Sequence, residues 1–216
     1  MGKLDDALAA ALAEGRCRVG QVLMVACEGG GFELCHRRDA GRPGLETFRS
    51  ESDARTIATY DDAGNFRPLK SAPNLRRGWR LVLPDLAALR QALEYLYPAS
   101  LGTWLAWQEG SLPATSLRQT VLRQTGMYRV TGKISTVQAD ELAEVQCNSL
   151  GGCLRTILWR IEDGGAVPGS LPHEKFAIEY DQTGDGERVI PLLCAEPCHL
   201  FVAAARDRVK GANASG

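Results

Sequence analysis

QCNSLGGCLR, residues 146–155, and LLCAEPCHLF, residues 192–201, are the two stretches on which the rest of the sequence turns. The first holds Cys147 and Cys153 with five residues between them; after 40 intervening residues come Cys194 and Cys198 with three between them. Two such pairs can supply four thiolates to one site with no help from histidine or carboxylate. Sites built only of thiolates hold zinc or an iron–sulfur cluster. Zinc knuckles usually separate the members of a pair by about two to four residues. Here the first pair is looser than that and neither pair is C-x2-C. The pattern favours an iron–sulfur cluster, of the [4Fe–4S] type because the ligands come from well-separated segments, with zinc as the alternative. Free cysteines often do nothing more than fill a core. Four of the seven cysteines falling in two close pairs argue against that for this set.

The residues around the second pair support a charged guest. Pro197 precedes Cys198, and the apolar run LFVAAARDRVK follows. Proline suits the first turn of a helix, where its missing N–H costs nothing. Cys198 is then expected on the N-terminal turn, where unpaired N–H groups and the helix dipole favour negative charge. The first pair is joined by NSLGG, a loop whose glycines allow close approach of backbone to a cluster.

Outward from these pairs, the sequence reads as an α+β protein. A small N-terminal domain of hairpin, sheet and helix, residues 1–110, precedes a mostly helical four-cysteine domain, residues 111–210, and a tail at 211–216 expected to be disordered. A net charge of −1 gives no footprint for nucleic acid. The opening MGKLDDALAAALAEGR is acidic and amphipathic, unlike a signal peptide, and no apolar run is long enough to span a bilayer. A cytoplasmic setting, where thiols stay reduced, is the expectation.

In the first domain, Leu4 to Ala13 has helical spacing and stops at Gly15. Val22–Cys27 and Phe32–His36 read as a hairpin about a turn at Glu28–Gly31. Cys17, Cys27 and Cys35 fall here at irregular spacing and are expected to be structural; His36 is expected at the surface or an edge. A short Ser-capped helix is expected in Ser50–Tyr60, a strand at Trp79–Leu83, and a helix capped by Asp85 that packs through Leu86, Leu89, Leu93 and Leu96. Arg76 and Arg77 form an exposed basic run. The segment after residue 100, with Trp104 and Trp107, reads as a hinge.

In the second domain, helices are expected from Leu117 to about Thr125 and over TVQADELAEVQ, the latter capped by Thr136 and delivering Cys147 at its end. CLRTILWRIED fits a helical face, although its composition also suits a strand. VPGSLPHEKFAIEYDQTGDGERVIPLL reads as a long irregular connection that covers the cluster. Arg118, Arg123, Arg129 and Arg155 concentrate positive charge near the cysteines. They either offset the charge of cluster and thiolates or bind the carboxylates of an anionic substrate, for which guanidinium is suited. No phosphate-binding loop and no nucleophile elbow is present: EGGGFE lies in a hairpin with no helix after it. No catalytic residue is assigned.

RQTGMYR (123–129), CNSLGGCLRTILW (147–159) and IPLLCAEPCHLFVAAAR (190–206) together resemble the iron–sulfur domain appended to CbiX-type sirohydrochlorin chelatase-like proteins. FRPLKSAPNLRRGWRL (66–81) and DLAALRQALEYLYPA (85–99) resemble the stabilising domain that precedes it. The resemblance implies a [4Fe–4S] cluster held by Cys147, Cys153, Cys194 and Cys198, in a protein connected with tetrapyrrole metallation on the cobalamin or sirohaem side. The expectation is an accessory, redox or sensor partner of a chelatase acting in trans, with an anionic tetrapyrrole as a candidate ligand; the alternatives are a stand-alone tetrapyrrole-binding redox enzyme and a zinc-stabilised interaction module. Chelatase activity is not carried over with the resemblance. That chemistry needs a parallel α/β domain with catalytic histidines, and His36, His173 and His199 lie in no βαβ pattern.

Overall fold

The computed structural model describes residues 2–13, 15–124, 126–147, 152–162 and 187–214. In chain order the elements are α1 (Lys3–Leu12), β1 (Arg16–Val19), β2 (Val22–Ala26), β3 (Phe32–His36), β4 (Glu46–Phe48), α2 (Asp53–Thr59), β5 (Trp79–Leu83), α3 (Leu86–Leu96), α4 (Ser100–Gln108), α5 (Leu117–Leu122), α6 (Thr136–Gln146), β6 (Thr156–Ile157), β7 (Arg188–Ile190), β8 (Leu193–Cys194) and α7 (His199–Ala214). The chain forms two units. One runs to Leu105 and takes back the segment that ends at Leu192; the other starts at Ala106 and resumes at Leu193. Among the described residues no helix is long and apolar enough to cross a membrane.

The first unit is a six-stranded mixed sheet in the order β4-β5-β3-β2-β1-β7. The pairings β1–β2, β2–β3 and β3–β5 are antiparallel, while β4 on β5 and β7 on β1 add in parallel at the two edges. Val19 and Val22 face each other across a two-residue turn that begins at Gly20, whose φ is +55°. Glycine first in such a loop is what a hairpin turn of this sense requires. A Cβ on Gly20 would also press on the Tyr97 ring. The buried Tyr97 hydroxyl accepts the Gln21 N–H at 2.8 Å, which ties the hairpin to the end of α3.

α3 follows the expected pattern. Asp85 Oδ1 accepts the Ala88 N–H at 2.9 Å, and Leu89, Leu93 and Leu96 are fully buried. α1 buries Leu8, Ala11 and Leu12. At α2 the serine stands at the cap, but Ser52 makes no side-chain cap bond; Asp53 instead accepts from the Ser50 N–H at 3.1 Å. The segment with Trp104 and Trp107, read as a hinge, is the helix α4. Arg76 and Arg77 are paired rather than free, with Glu46 and Asp62. Arg188–Ile190, placed by sequence in the second domain, is the edge strand β7 of this first sheet; Glu187 beside it pairs with Arg18 at 2.6 Å.

Cys17 and Cys35 are buried, and burial pushes their thiols up to about 12 and about 11, so both stay protonated at neutral pH. His36 is not a surface residue. It is 1 % exposed, and its Nδ1 accepts the Arg38 N–H at 3.1 Å. The hairpin carries it inward because β3 is buried over its last three residues, where strict alternation would turn one outward.

Burial lowers the His36 pKa from 6.5 to about 4, against the opposing charge of Asp39 and with help from Arg37, Arg38 and Arg77. Between those two values the unfolded chain takes a proton that the folded chain refuses. Stability present above pH 6.5 is therefore lost as pH falls towards 4, by about 3 kcal/mol. Hydrogen-exchange protection of the β3 amides is expected to drop over that range in the native sequence and to stay flatter in His36→Gln. Identical profiles would refute the assignment.

The second unit is mostly helical. α5 is capped by Ser116, which accepts the Gln119 N–H at 3.1 Å. A 3-10 segment at Gly126–Lys133 follows. α6 is capped by Ser135, one residue before the expected Thr136, with Gln138 completing the reciprocal pair of bonds. CLRTILWRIED is no helix: Thr156 and Ile157 pair in parallel with Leu193 and Cys194. The core of this unit includes Leu117, Ile134, Trp159, Phe201, Val202 and Ala205. The long connection 163–186, with His173, and most of the NSLGG loop lie outside the described residues.

Candidate metal centre

Three chain segments of the second unit carry the four cysteines. Cys147 caps the C-terminus of α6, where its N–H donates to the Ala143 carbonyl at 2.8 Å. Gly152 then packs against the Gln146 carbonyl so closely that any Cβ would collide with it. The glycine is thus needed for the chain to double back over the end of α6 and present Cys153. The Arg155 N–H approaches Cys153 Sγ at 3.5 Å.

The second pair is fixed by the short parallel ladder. Leu158 N–H donates to the Cys194 carbonyl at 2.9 Å, and Arg155 Nη1 donates to the Leu193 carbonyl at 3.2 Å. The Thr115 N–H holds the Ala195 carbonyl at 2.8 Å, and Cys194 Sγ donates to the Glu196 carbonyl at 3.1 Å. After Pro197 the chain enters α7, whose first turn closes with Val202 N–H on the Cys198 carbonyl at 3.0 Å. Cys198 therefore sits where the helix's free N–H groups and positive dipole end lie.

None of the four cysteines is in a disulfide and all are half-buried, and Cys147, Cys194 and Cys198 pack against the apolar core. Their thiols share one electrostatic neighbourhood. Burial raises Cys147 to about 12, with further upward pressure from Cys194, Cys198 and Cys153. Burial likewise raises Cys194 to about 11; Trp159 and Arg155 pull it down, and Cys198 and Cys153 push it up. Four negative sulfurs this close oppose one another, so they ionise together only around a cation that displaces their protons. Among the described residues no three ligating side chains form the tight shell of a single ion. A donor set of four thiols suits an iron–sulfur cluster.

The four arginines are placed differently from one another. Arg155 lies beside the cysteines, as its bonds and its effect on Cys194 show. Arg123 pairs with Glu196, between the two cysteines of the second pair, at 2.9 Å. Arg118 donates to the Gly132 and Ile134 carbonyls and to Glu162, fastening the end of the 3-10 segment to α5. Arg129 donates to the Gln124 carbonyl at 3.2 Å.

Trp159 is the residue at this centre that the sequence reading did not single out. It is 6 % exposed, its ring meets Phe201 edge-on with centroids 5.0 Å apart, and its indole nitrogen has no hydrogen-bond partner. Its only signal in the sequence is a tryptophan six residues beyond a candidate ligand.

Two family profiles match consecutive parts of the chain. The profile of the DR2241 stabilising domain matches residues 4–108, and that of a 4Fe-4S iron–sulfur cluster binding domain matches residues 109–207. The chain belongs with these two domain families. Its second half is accordingly a [4Fe–4S] cluster-binding domain. Among solved structures it is similar to DR2241 from Deinococcus radiodurans, at 34% identity and a TM-score of 0.74. The match covers 96% of this chain and 41% of that one, which is described as a multi-domain protein with structural similarity to chelatases and two additional novel domains. No curated protein matches the chain.

Proposed function

We propose that Cys147, Cys153, Cys194 and Cys198 hold the [4Fe–4S] cluster, and that this chain is the cluster-bearing accessory portion of a tetrapyrrole chelatase system, whether joined to the chelatase or separate from it. The observation that carries this reading is that Cys147, Cys194 and Cys198, from the end of α6, β8 and the start of α7, pack against one apolar core, with Cys153 in the same electrostatic neighbourhood. The cluster, when bound, supplies a one-electron redox centre. The chain's own groups do the rest. Burial excludes water, the α7 N-terminus and Arg155 offset negative charge, and Gly152 allows the first pair to fold back. The similarity to DR2241, a protein described as chelatase-like, supports the metallation context on the cobalamin or sirohaem side. A cytoplasmic setting, where thiols stay reduced, suits this ligand set.

The same arginines invite a second reading, direct binding of an anionic tetrapyrrole such as sirohydrochlorin. The commitments of Arg118 to backbone carbonyls and of Arg123 to Glu196 favour the accessory reading over it. Anaerobic metal-insertion assays with sirohydrochlorin and a CbiX-type chelatase, with and without this chain, test the proposal. The insertion rate is expected to depend on whether the added chain is oxidised or reduced. No effect in either state, together with sirohydrochlorin binding by the chain alone at micromolar concentration, would replace the accessory role with the direct one.

A further inference from the structure

Buried tryptophans normally find an acceptor for the indole N–H, because leaving it unmade costs about 1–3 kcal/mol. Trp159 does not, although it is almost wholly enclosed. Its position is fixed from two sides. The Leu158–Cys194 backbone bond sets the register of β6 on β8 and so places the next residue beside the ligand segment. The edge-on contact with Phe201 on α7 holds the ring. Trp159 belongs to the core cluster against which Cys194 packs, and its indole N–H completes no hydrogen bond there. As a thiol, Cys194 donates its proton to the Glu196 carbonyl. Coordination removes this proton and leaves a negatively charged sulfur, a far better acceptor.

We infer that the Trp159 indole N–H is the hydrogen-bond donor held for the Cys194 sulfur of the bound cluster, and that Trp159 thereby sets the cluster's reduction potential. The inference rests on the assignment of Cys194 as a ligand. Hydrogen bonds to cluster sulfurs stabilise the more negative, reduced state and raise the potential. Trp159 is a positioning residue here, acting through the ligand rather than on any substrate.

The test uses the full chain with its cluster, handled without oxygen. Trp159→Phe keeps an aromatic ring against Phe201 and removes only the donor. Cluster content is expected to stay near native while the midpoint potential falls, by up to about tenfold in the reduced-to-oxidised ratio, about 59 mV for one electron. Phe201→Leu loosens the same wall but keeps the donor, and is expected to move the potential much less. In the native chain, electron–nuclear double resonance of the reduced cluster is expected to show an exchangeable proton that couples to 15N in indole-labelled protein. That measurement needs no variant and survives if Trp159→Phe folds poorly. An unchanged potential in an intact Trp159→Phe cluster, an equal shift in Phe201→Leu, or no indole proton in the native spectrum would each overturn the inference while leaving the ligand set standing. A full native cluster in Cys194→Ala would overturn both.

Discussion

Cys194→Ala is expected to strip the chain of its cluster and to open the second unit to protease, while the first unit stays folded. The second unit has little else to hold its centre. Its strands β6 and β8 are two residues each, and the segments carrying Cys153 and Cys194 are tied by a few backbone bonds. A ladder that short is not stable in isolation. A guest that binds only the folded arrangement adds its binding free energy to folding, about 4 kcal/mol at a thousandfold excess over the dissociation constant. Removing one of four ligands forfeits most of that, and the thiols that remain, protonated in the absence of a cluster, put no comparable bond in its place. The first unit has its own sheet and its own buried leucines on α1, β3, β5 and α3. Limited proteolysis without oxygen, with the fragments weighed, checks the expectation. Cuts should multiply between residues 106 and 162 and beyond Leu193, and the peptide containing β7 should remain bound to the N-terminal fragment through its pairing with β1. Equal resistance of variant and native chain would show that the cluster is not a folding element.

What was legible in the sequence follows from how locally each feature is determined. The cysteine pairs announce themselves through spacing alone, because a thiolate set is chemistry that few other residues imitate. α1, α3 and the β2–β3 hairpin were readable from periodicity, the Asp85 cap and the glycines of the turn. β1 and β7 were not. Val19, Val22 and Met24 are all buried, so the hairpin lacks the polar alternation that marks a strand with one wet face, and only the Gly20–Gln21 turn hints at it. β7 joins β1 across about 170 residues of sequence, a pairing no local window contains. Ile157 and its neighbours were ambiguous because a short apolar run fits either period; their pairing with Leu193 and Cys194 decides it. At the metal centre, the ligand types were visible but their surroundings were not. That Arg118 is committed to carbonyls, that Gly152 makes room for the Gln146 carbonyl, and that Trp159 keeps an unused N–H are all facts of three-dimensional contact.

Arg67→Ala is expected to destabilise the first unit by about 3–5 kcal/mol, and Arg67→Lys by nearly as much. Arg67 is 1 % exposed, and burial lowers its pKa, yet its hydrogen-bond partners are all neutral. Its Nε donates to Asn74 Oδ1 at 2.8 Å, Nη1 to the Ala58 carbonyl at 2.8 Å, and Nη2 to the carbonyls of Lys70 and Ala72 at 2.9 and 3.0 Å. Its own N–H bonds the Thr59 carbonyl at 2.8 Å. One guanidinium thus gathers the end of α2 and the irregular chain from 66 to 78, a stretch that has no strand or long helix to satisfy its backbone. Alanine would leave three of those acceptors bare inside the protein, each costing about 1–3 kcal/mol less whatever water recovers. The Ala58 carbonyl would keep its bond from Lys70 Nζ at 3.1 Å. Lysine preserves the charge but offers a compact ammonium that cannot span four acceptors in one plane. Urea unfolding of the full chain, followed by hydrogen-exchange protection in β5 and α2, reads the effect on this unit. If both variants unfold within 1 kcal/mol of the native protein, roughly the scale of an ordinary surface change, the arginine is not the hub of this loop.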